Sequence, residues 1–183
     1  MTDPDRTASP GTQLVAVTVL GDDRPGIVAD VTAALAAVDG NLEDSTMTLL
    51  RGRFAMVVLV RTTAGEAAVQ QVLAPLTEDG SLQVDARLLA QESASVGSGA
   101  AHVLSVHGAD RPGIVAAVTR VVADHGGNIV DLGTRLGGGL YVLTAEVQLP
   151  AGVEVAALDR DLQGVSAQLG VDVHLAPVET ELL

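Results

Sequence analysis

The chain repeats itself, and the repeat fixes most of what it can fold into. Residues near 14 to 89 match residues near 101 to 176 at a constant offset of 87, without a gap. Gly21-Asp22-Asp23-Arg24-Pro25-Gly26-Ile27-Val28-Ala29 lies over Gly108-Ala109-Asp110-Arg111-Pro112-Gly113-Ile114-Val115-Ala116, and Gly40-Asn41 lies over Gly127-Asn128. Between 21–44 and 108–131 there are 14 identities in 24 positions. Even the two aromatic residues, Phe54 and Tyr141, are one position occurring twice. A period of this length marks a folded unit used more than once. The 183 residues therefore divide into a disordered tail at 1–12, a first domain at 13–90, a flexible linker at 91–100, a second domain at 101–176 and a tail at 177–183. The linker, Ala90-Gln91-Glu92-Ser93-Ala94-Ser95-Val96-Gly97-Ser98-Gly99-Ala100, is small and polar with no hydrophobic period.

Each copy alternates between two periods. Leu14 to Leu20, and Val103 to Val106 in the second copy, are short, β-branched runs that end at Gly21 and Gly108 and read as strands. Ile27, Val28, Val31, Leu35 and Val38 then recur at helical spacing, as do Ile114, Val115, Val118, Val122 and His125. Pro25 suits the first helical turn, and Gly40 and Gly127 the left-handed stop after it. Two runs joined by Arg51-Gly52-Arg53, or by Gly137-Gly138-Gly139, predict hairpins. Val69, Val72, Leu73 and Leu76, and Leu158, Leu162, Val165 and Leu169, mark a second helix. Leu82 to Leu89 and Val171 to Leu175 close each unit as strands. The order is βαββαβ, so the fold class is α+β: two ferredoxin-like units, each an antiparallel four-stranded sheet with two helices on one face.

Composition excludes several functions. With 10 basic residues, all Arg, against 23 acidic ones the net charge is −13, and the copies carry −5 and −4, so neither is a hidden basic domain. Without basic clusters or aromatic platforms, direct nucleic-acid binding is not expected. The absence of Cys removes disulfides, thiolate nucleophiles and sulfur-ligated zinc, and permits a reducing compartment, with cytoplasm as the default. The first residues are acidic where a signal peptide is basic and then apolar, and no apolar run is long enough to span a bilayer, so no membrane association is expected.

The turn between the first strand and first helix is the main candidate site. The backbone N–H groups of Gly26, Ile27 and Val28, and of Gly113, Ile114 and Val115, lack intrahelical partners and lie at the positive end of a helix dipole. Gly21, Gly26, Gly108 and Gly113 allow close approach. Asp23 and Asp110 set a carboxylate beside the same pocket, which disfavours phosphate and suits the zwitterion of an α-amino acid. The plainer alternative is that these aspartates cap their helices while the glycines turn the chain. Among the four histidines, His102 and His107 are an odd number apart on one strand and cannot share a metal, and His125 sits in the last turn of a helix. His174 replaces Arg87, and only His107, leading into the second turn, is placed to tune a site. The glycine triplet lacks the Lys and helix of a nucleotide loop. Asp22 and Asp23 have no nucleophile beside them, so neither catalysis, metal nor cofactor is expected.

These residues resemble a known family. The strand-Gly-x-Asp-Arg-Pro-Gly-Ile-Val-helix-Gly-Asn pattern within a βαββαβ unit resembles the ACT domain, a small-molecule sensing module attached to amino-acid metabolic enzymes. Two such domains with no other domain resemble the glycine cleavage system transcriptional repressor family. The resemblance implies an amino-acid site, often where two domains meet, lined by Gly21, Asp23, Arg24, Gly26, Ile27, Asn41 and Leu42, and by Gly108, Asp110, Arg111, Gly113, Ile114, Asn128 and Ile129. Ala109 in place of Asp22, and His107 in place of Leu20, make the two turns unequal. The resemblance also implies regulation through a protein partner, a transcription factor or enzyme, and a homodimer or intramolecular pairing of the domains. The rival reading is a ligand-independent adaptor that pairs through these domains. Cores of Val, Leu, Ile and Ala with so few aromatics are light, and pairing would bury additional apolar area.

Overall fold

The computed structural model describes residues 11–90 and 99–178. It splits into two compact units, one holding β1 to β4 and the other β5 to β8. The first unit runs β1(Gln13–Asp22), α1(Ile27–Ala36), β2(Asn41–Leu50), β3(Arg53–Thr62), α2(Gly65–Leu73), a short 3-10 helix (Ala74–Thr77) and β4(Leu82–Leu88). The second runs β5(Ala100–Ala109), α3(Ile114–Asp124), β6(Asn128–Gly137), β7(Leu140–Leu149), α4(Val155–Leu169) and β8(Val171–Pro177). The sheet orders are β2-β3-β1-β4 and β6-β7-β5-β8, every pairing antiparallel, as the βαββαβ reading requires.

Alternation along the central strands decides which face is covered. Val15, Val17 and Val19 of β1 and Phe54, Met56, Val58 and Val60 of β3 are buried against Ile27, Val31 and Leu35 of α1 and Val69 and Leu73 of α2. In the second unit Leu104, Val106, Leu143, Ala145, Val147 and Leu149 meet Ile114, Val118 and Val122 of α3 and Leu158 and Leu162 of α4. Both hairpins turn on two residues with positive φ, Arg51 (51°) with Gly52 (81°) and Gly138 (59°) with Gly139 (83°), the twist a two-residue hairpin needs.

Side chains from the helices seal one edge of each sheet. The amide of Gln70 donates to the Val84 carbonyl (3.2 Å) and accepts from Ala86 N–H (2.9 Å), while Glu66 accepts from Leu88 N–H (2.7 Å). All three groups point outward from β4, because the alternate residues pair with β1. In the second unit Gln163 donates to the Val173 carbonyl (3.0 Å) and the Ser166 hydroxyl to the Val171 carbonyl (2.6 Å). Satisfying these groups blunts an edge that would otherwise template another strand.

Several expectations are corrected. The left-handed residues after the first helices are Asp39 (φ 51°) and Gly126 (φ 73°), one position before Gly40 and Gly127. Gly40 serves close packing instead: a Cβ there would stand 2.7 Å from both the Leu35 carbonyl oxygen and Val60 Cγ2. At Gly127 it would stand 2.8 Å from Val122 Cγ1. Pro25 precedes the helix, which begins at Ile27 after Gly26. Val28 is 42% exposed and does not share the buried face of Ile27, Val31 and Leu35. Strands β5 and β8 take in Ala100 and Pro177 from the expected linker and tail, whose remaining residues, like most of the N-terminal tail, lie largely outside the described residues.

A Cβ at Gly40 forces backbone and a core valine apart, whereas the left-handed position already accepts Asp39 in the first copy. Gly40→Ala should lower unfolding free energy by about 1–3 kcal/mol in urea denaturation. Gly126→Asn should lower it by about 1 kcal/mol or less, because Asn tolerates the left-handed region.

Candidate functional site

The strand-to-helix turn is built the same way in both units. Gly26 and Gly113 precede their helices in the left-handed region, with φ 92° and 95°. The first intrahelical bonds run from Asp30 N–H to the Gly26 carbonyl (2.8 Å) and from Ala117 N–H to the Gly113 carbonyl (2.9 Å). The amides of Gly26 to Ala29, and of Gly113 to Ala116, therefore have no intrahelical partner. No side chain caps either helix. The side chains of Asp23 and Asp110 are exposed and make no hydrogen bond or ion pair among the described residues, so the capping alternative fails. A Cβ on Gly113 would meet nothing within 4 Å, and one on Gly26 only the Arg24 guanidinium at 3.9 Å, so the space before each helix is open.

Gly21 and Gly108 do different work. A Cβ on Gly21 would lie 2.0 Å from the Ser81 carbonyl oxygen, and one on Gly108 would lie 2.7 Å from Val171 Cγ1. They are glycine because the last strand of the unit crosses there, and not to admit a ligand.

The surroundings of the two turns diverge. Arg24 Nη1 donates to Asp30 Oδ2 (2.9 Å) and to the Pro25 carbonyl (3.3 Å), folding back over the helix start. Asp22 pairs with Arg53, its N–H donates to the Ser81 carbonyl (3.0 Å), and Asp23 N–H donates to the Gly52 carbonyl (3.2 Å). Asp79 accepts from the Ser81 hydroxyl (2.7 Å) and N–H (2.9 Å). The Ser81 hydroxyl and amide, with a smaller contribution from Arg24, hold the Asp79 carboxyl below the ordinary carboxylate range. In the second unit the positions of Asp30, Asp22 and Arg53 hold Ala117, Ala109 and Leu140. Arg111 consequently has no ion pair among the described residues and lies by Gly170. Arg53, Asp79 and Ser81 escaped the sequence reading because sheet pairing alone brings them to the turn.

The remaining candidates do not converge within one unit. Asn41 is in register with Arg61 and hence Leu14, seven residues along β1 from Gly21. That separates Asn41 and Leu42 from the turn by about 24 Å along the strand. Asn128 and Ile129 are likewise at the far end from Gly108. A cavity of about 510 Å³ also opens at the far end of the first sheet, lined by Gln13, Leu14, Arg61 and Leu88, among others, and includes no turn residue.

The histidines are apart. His102 is buried on the helix side with Nδ1 3.2 Å from the Ala100 carbonyl, and His107 is exposed on the face away from α3 and does not line the turn. His125 Nε2 is 2.8 Å from Asp161 Oδ2, and His174 is exposed. Among the described residues no three His, Asp or Glu cluster as a metal would need, and no helix is long and apolar enough to cross a membrane.

The family model of the ACT domain matches residues 13–87 and 102–176, and the chain belongs to the ACT-domain family as a tandem member. An unknown protein from Galdieria sulphuraria superposes with a TM-score of 0.78 at 34% identity, covering 92% of this chain and 99% of that one. A structure provisionally described as a glycine cleavage system transcriptional repressor shares the fold, with a TM-score of 0.67 at 18% identity and the same coverage. The UPF0237 protein of Methanopyrus kandleri is 44% identical over 64 residues, which is 35% of this chain and 71% of that one.

Two measurements check the geometry of the turn. Gly26→Ala and Gly113→Ala should each destabilise the protein by about 1–2 kcal/mol, since an L side chain is strained at these φ values. Ser81→Ala should raise the Asp79 titration midpoint, followed by carboxyl NMR, toward the ordinary carboxylate value. A group held low in the folded state stabilises at neutral pH and loses that contribution as pH falls through its folded midpoint.

Proposed function

We propose that this tandem ACT protein is a regulatory sensor that binds a small amino acid at its strand-to-helix turns and acts on a partner protein. The observation that carries this reading is the pairing, in both units, of unpartnered helix-start amides with an uncommitted aspartate, Asp23 or Asp110. The amides suit a ligand carboxylate and the aspartate its ammonium. Asn41, Leu42, Asn128 and Ile129 would join such a site only from a neighbouring ACT unit. The net charge of −13 favours a protein partner, a transcription factor or metabolic enzyme, over nucleic acid. The Ser81 hydroxyl at the first turn is bonded to the Asp79 carboxylate without a His or Lys beside it, which supports a non-catalytic role.

A glycine-sized ligand of about five heavy atoms binds with at most about 7.5 kcal/mol, a micromolar ceiling that fits a sensor of abundant metabolites. The two turns are unequal under this reading. Asp30 occupies Arg24, while Arg111 is free to meet a carboxylate, so the second turn is the stronger site.

Denaturation with each of the twenty amino acids tests this. A ligand at 100-fold its dissociation constant should stabilise the protein by about 2.7 kcal/mol. Asp23→Asn with Asp110→Asn should abolish that gain with stability otherwise within about 0.5 kcal/mol, because neither side chain caps a helix. Arg111→Ala should weaken binding more than Arg24→Ala. No stabilisation by any amino acid would overturn the reading in favour of the ligand-independent adaptor.

A further inference from the structure

We propose that the cavity at the far end of the first sheet is a binding site for a neutral, flat heteroaromatic ring of nucleobase size. The site is separate from the strand-to-helix turns and does not rest on amino-acid binding there. Its volume of about 510 Å³ falls within the roughly 300–1,000 Å³ of small-molecule sites, and a glycine-sized ligand would leave most of it unfilled.

Three strands build it. Val15 and Val60 are buried against the helices, so by alternation Leu14 and Arg61 turn to the other face of the sheet. These two stand in register, and Leu89, whose N–H donates to the Leu14 carbonyl (2.9 Å), carries the row past the end of β4. The cavity lies over this row, with Leu14, Leu88 and Leu89 as apolar walls. Arg61 is the one ionisable residue lining it among the described residues, and Gln13 adds hydrogen-bonding groups.

A β-bulge fixes the guanidinium. Asn41 and Leu42 pair with Arg61 and Val60, but the next pair is Asp44 with Leu59, which leaves Glu43 as the extra residue. Its carboxylate accepts from Arg61 Nε at Oε1 and from Arg61 Nη2 at Oε2 (2.8 Å). This two-point contact holds the guanidinium plane in one orientation, and a planar guanidinium stacks on aromatic faces. It also offsets the charge of Arg61, so the cavity has no net preference for an anion. Apolar walls beside a flat, charge-balanced guanidinium suit a neutral ring with a polarisable face and polar atoms on its edge. A free base or nucleoside meets that description better than a polynucleotide, whose phosphates would meet a chain of net charge −13.

The repeat supplies an internal control. In the second unit Leu14, Glu43 and Arg61 become Ala101, Val130 and Gln148, and strand register puts Pro177 in the place of Leu88. The bulge is kept there, between Ile129 and Asp131, without the carboxylate and guanidinium that it positions in the first. The site therefore belongs to the side chains of the first unit and not to the fold as such.

Titration of 2-aminopurine riboside with the full chain, without amino acids, tests the proposal. The protein has no Trp, so the fluorescence of the probe is read without interference. Wild-type protein should quench it and raise its anisotropy saturably. Arg61→Gln and Leu14→Ala should each weaken binding by about tenfold or more. Both install what the second unit already carries, Gln148 and Ala101, so the fold accommodates them, and unchanged far-UV circular dichroism verifies this. No saturable change with the wild-type protein, or binding that survives both substitutions, would overturn the proposal. So would loss of probe binding in Asp23→Asn with Asp110→Asn, which would move the probe to the turns.

Discussion

Each sheet in this protein is covered by helices on one face only, and that one-sidedness governs everything built upon it. The covered faces pack light aliphatic side chains, with Phe54 and Tyr141 as the single aromatic in each unit. Such small cores gain their stability from close approach rather than bulk. Gly40 and Gly127 let the end of a helix settle against the sheet, and Gly21 and Gly108 let the last strand cross the first. The uncovered faces, freed from the core, are where the two units have diverged, Leu20, Val57 and Leu59 of the first becoming His107, Thr144 and Glu146 in the second.

The same architecture produces the turn. A central strand reaching the end of the sheet must reverse into a helix lying over it, and the left-handed Gly26 or Gly113 makes that reversal in one step. Reversing there leaves the first amides of the helix pointing out, without a side-chain cap to occupy them. Backbone geometry is thus duplicated faithfully. Side-chain electrostatics is not: the Arg24–Asp30 and Asp22–Arg53 pairs belong to the first turn alone. Under the proposed function, two unequal turns would respond over a wider range of ligand concentration than two identical ones.

Structure is legible in this sequence where the physics is local and periodic. The β-branched run from Leu14 to Leu20, helical spacing at 27, 31 and 35, and glycine-containing turns around Gly52 and Gly138 each encode their structure within a few residues. Structure is not legible where neighbouring residues compete for one role. Gly40 and Gly127 look like helix stops, but the preceding residue takes the left-handed conformation because the glycine is needed for contact. Val28 fits the helical period, yet the two-helix layer covers too narrow an arc to bury it. Long-range partners were invisible: Arg53 meets Asp22 only through strand register. Asn41, fifteen residues after Gly26 in sequence, lies at the other end of the sheet because α1 runs the whole length back.

The proposed function requires ligand carboxylates to meet the helix-start amides. Two-dimensional amide correlation spectra of the isotope-labelled protein, recorded during titration with the amino acid that stabilises it, test this most directly. Saturable shifts should concentrate at Gly26 to Ala29 and Gly113 to Ala116, with those of the second turn appearing at lower ligand concentration. Saturable shifts confined to other parts of the sheets or helices, with these amides unmoved, would contradict it.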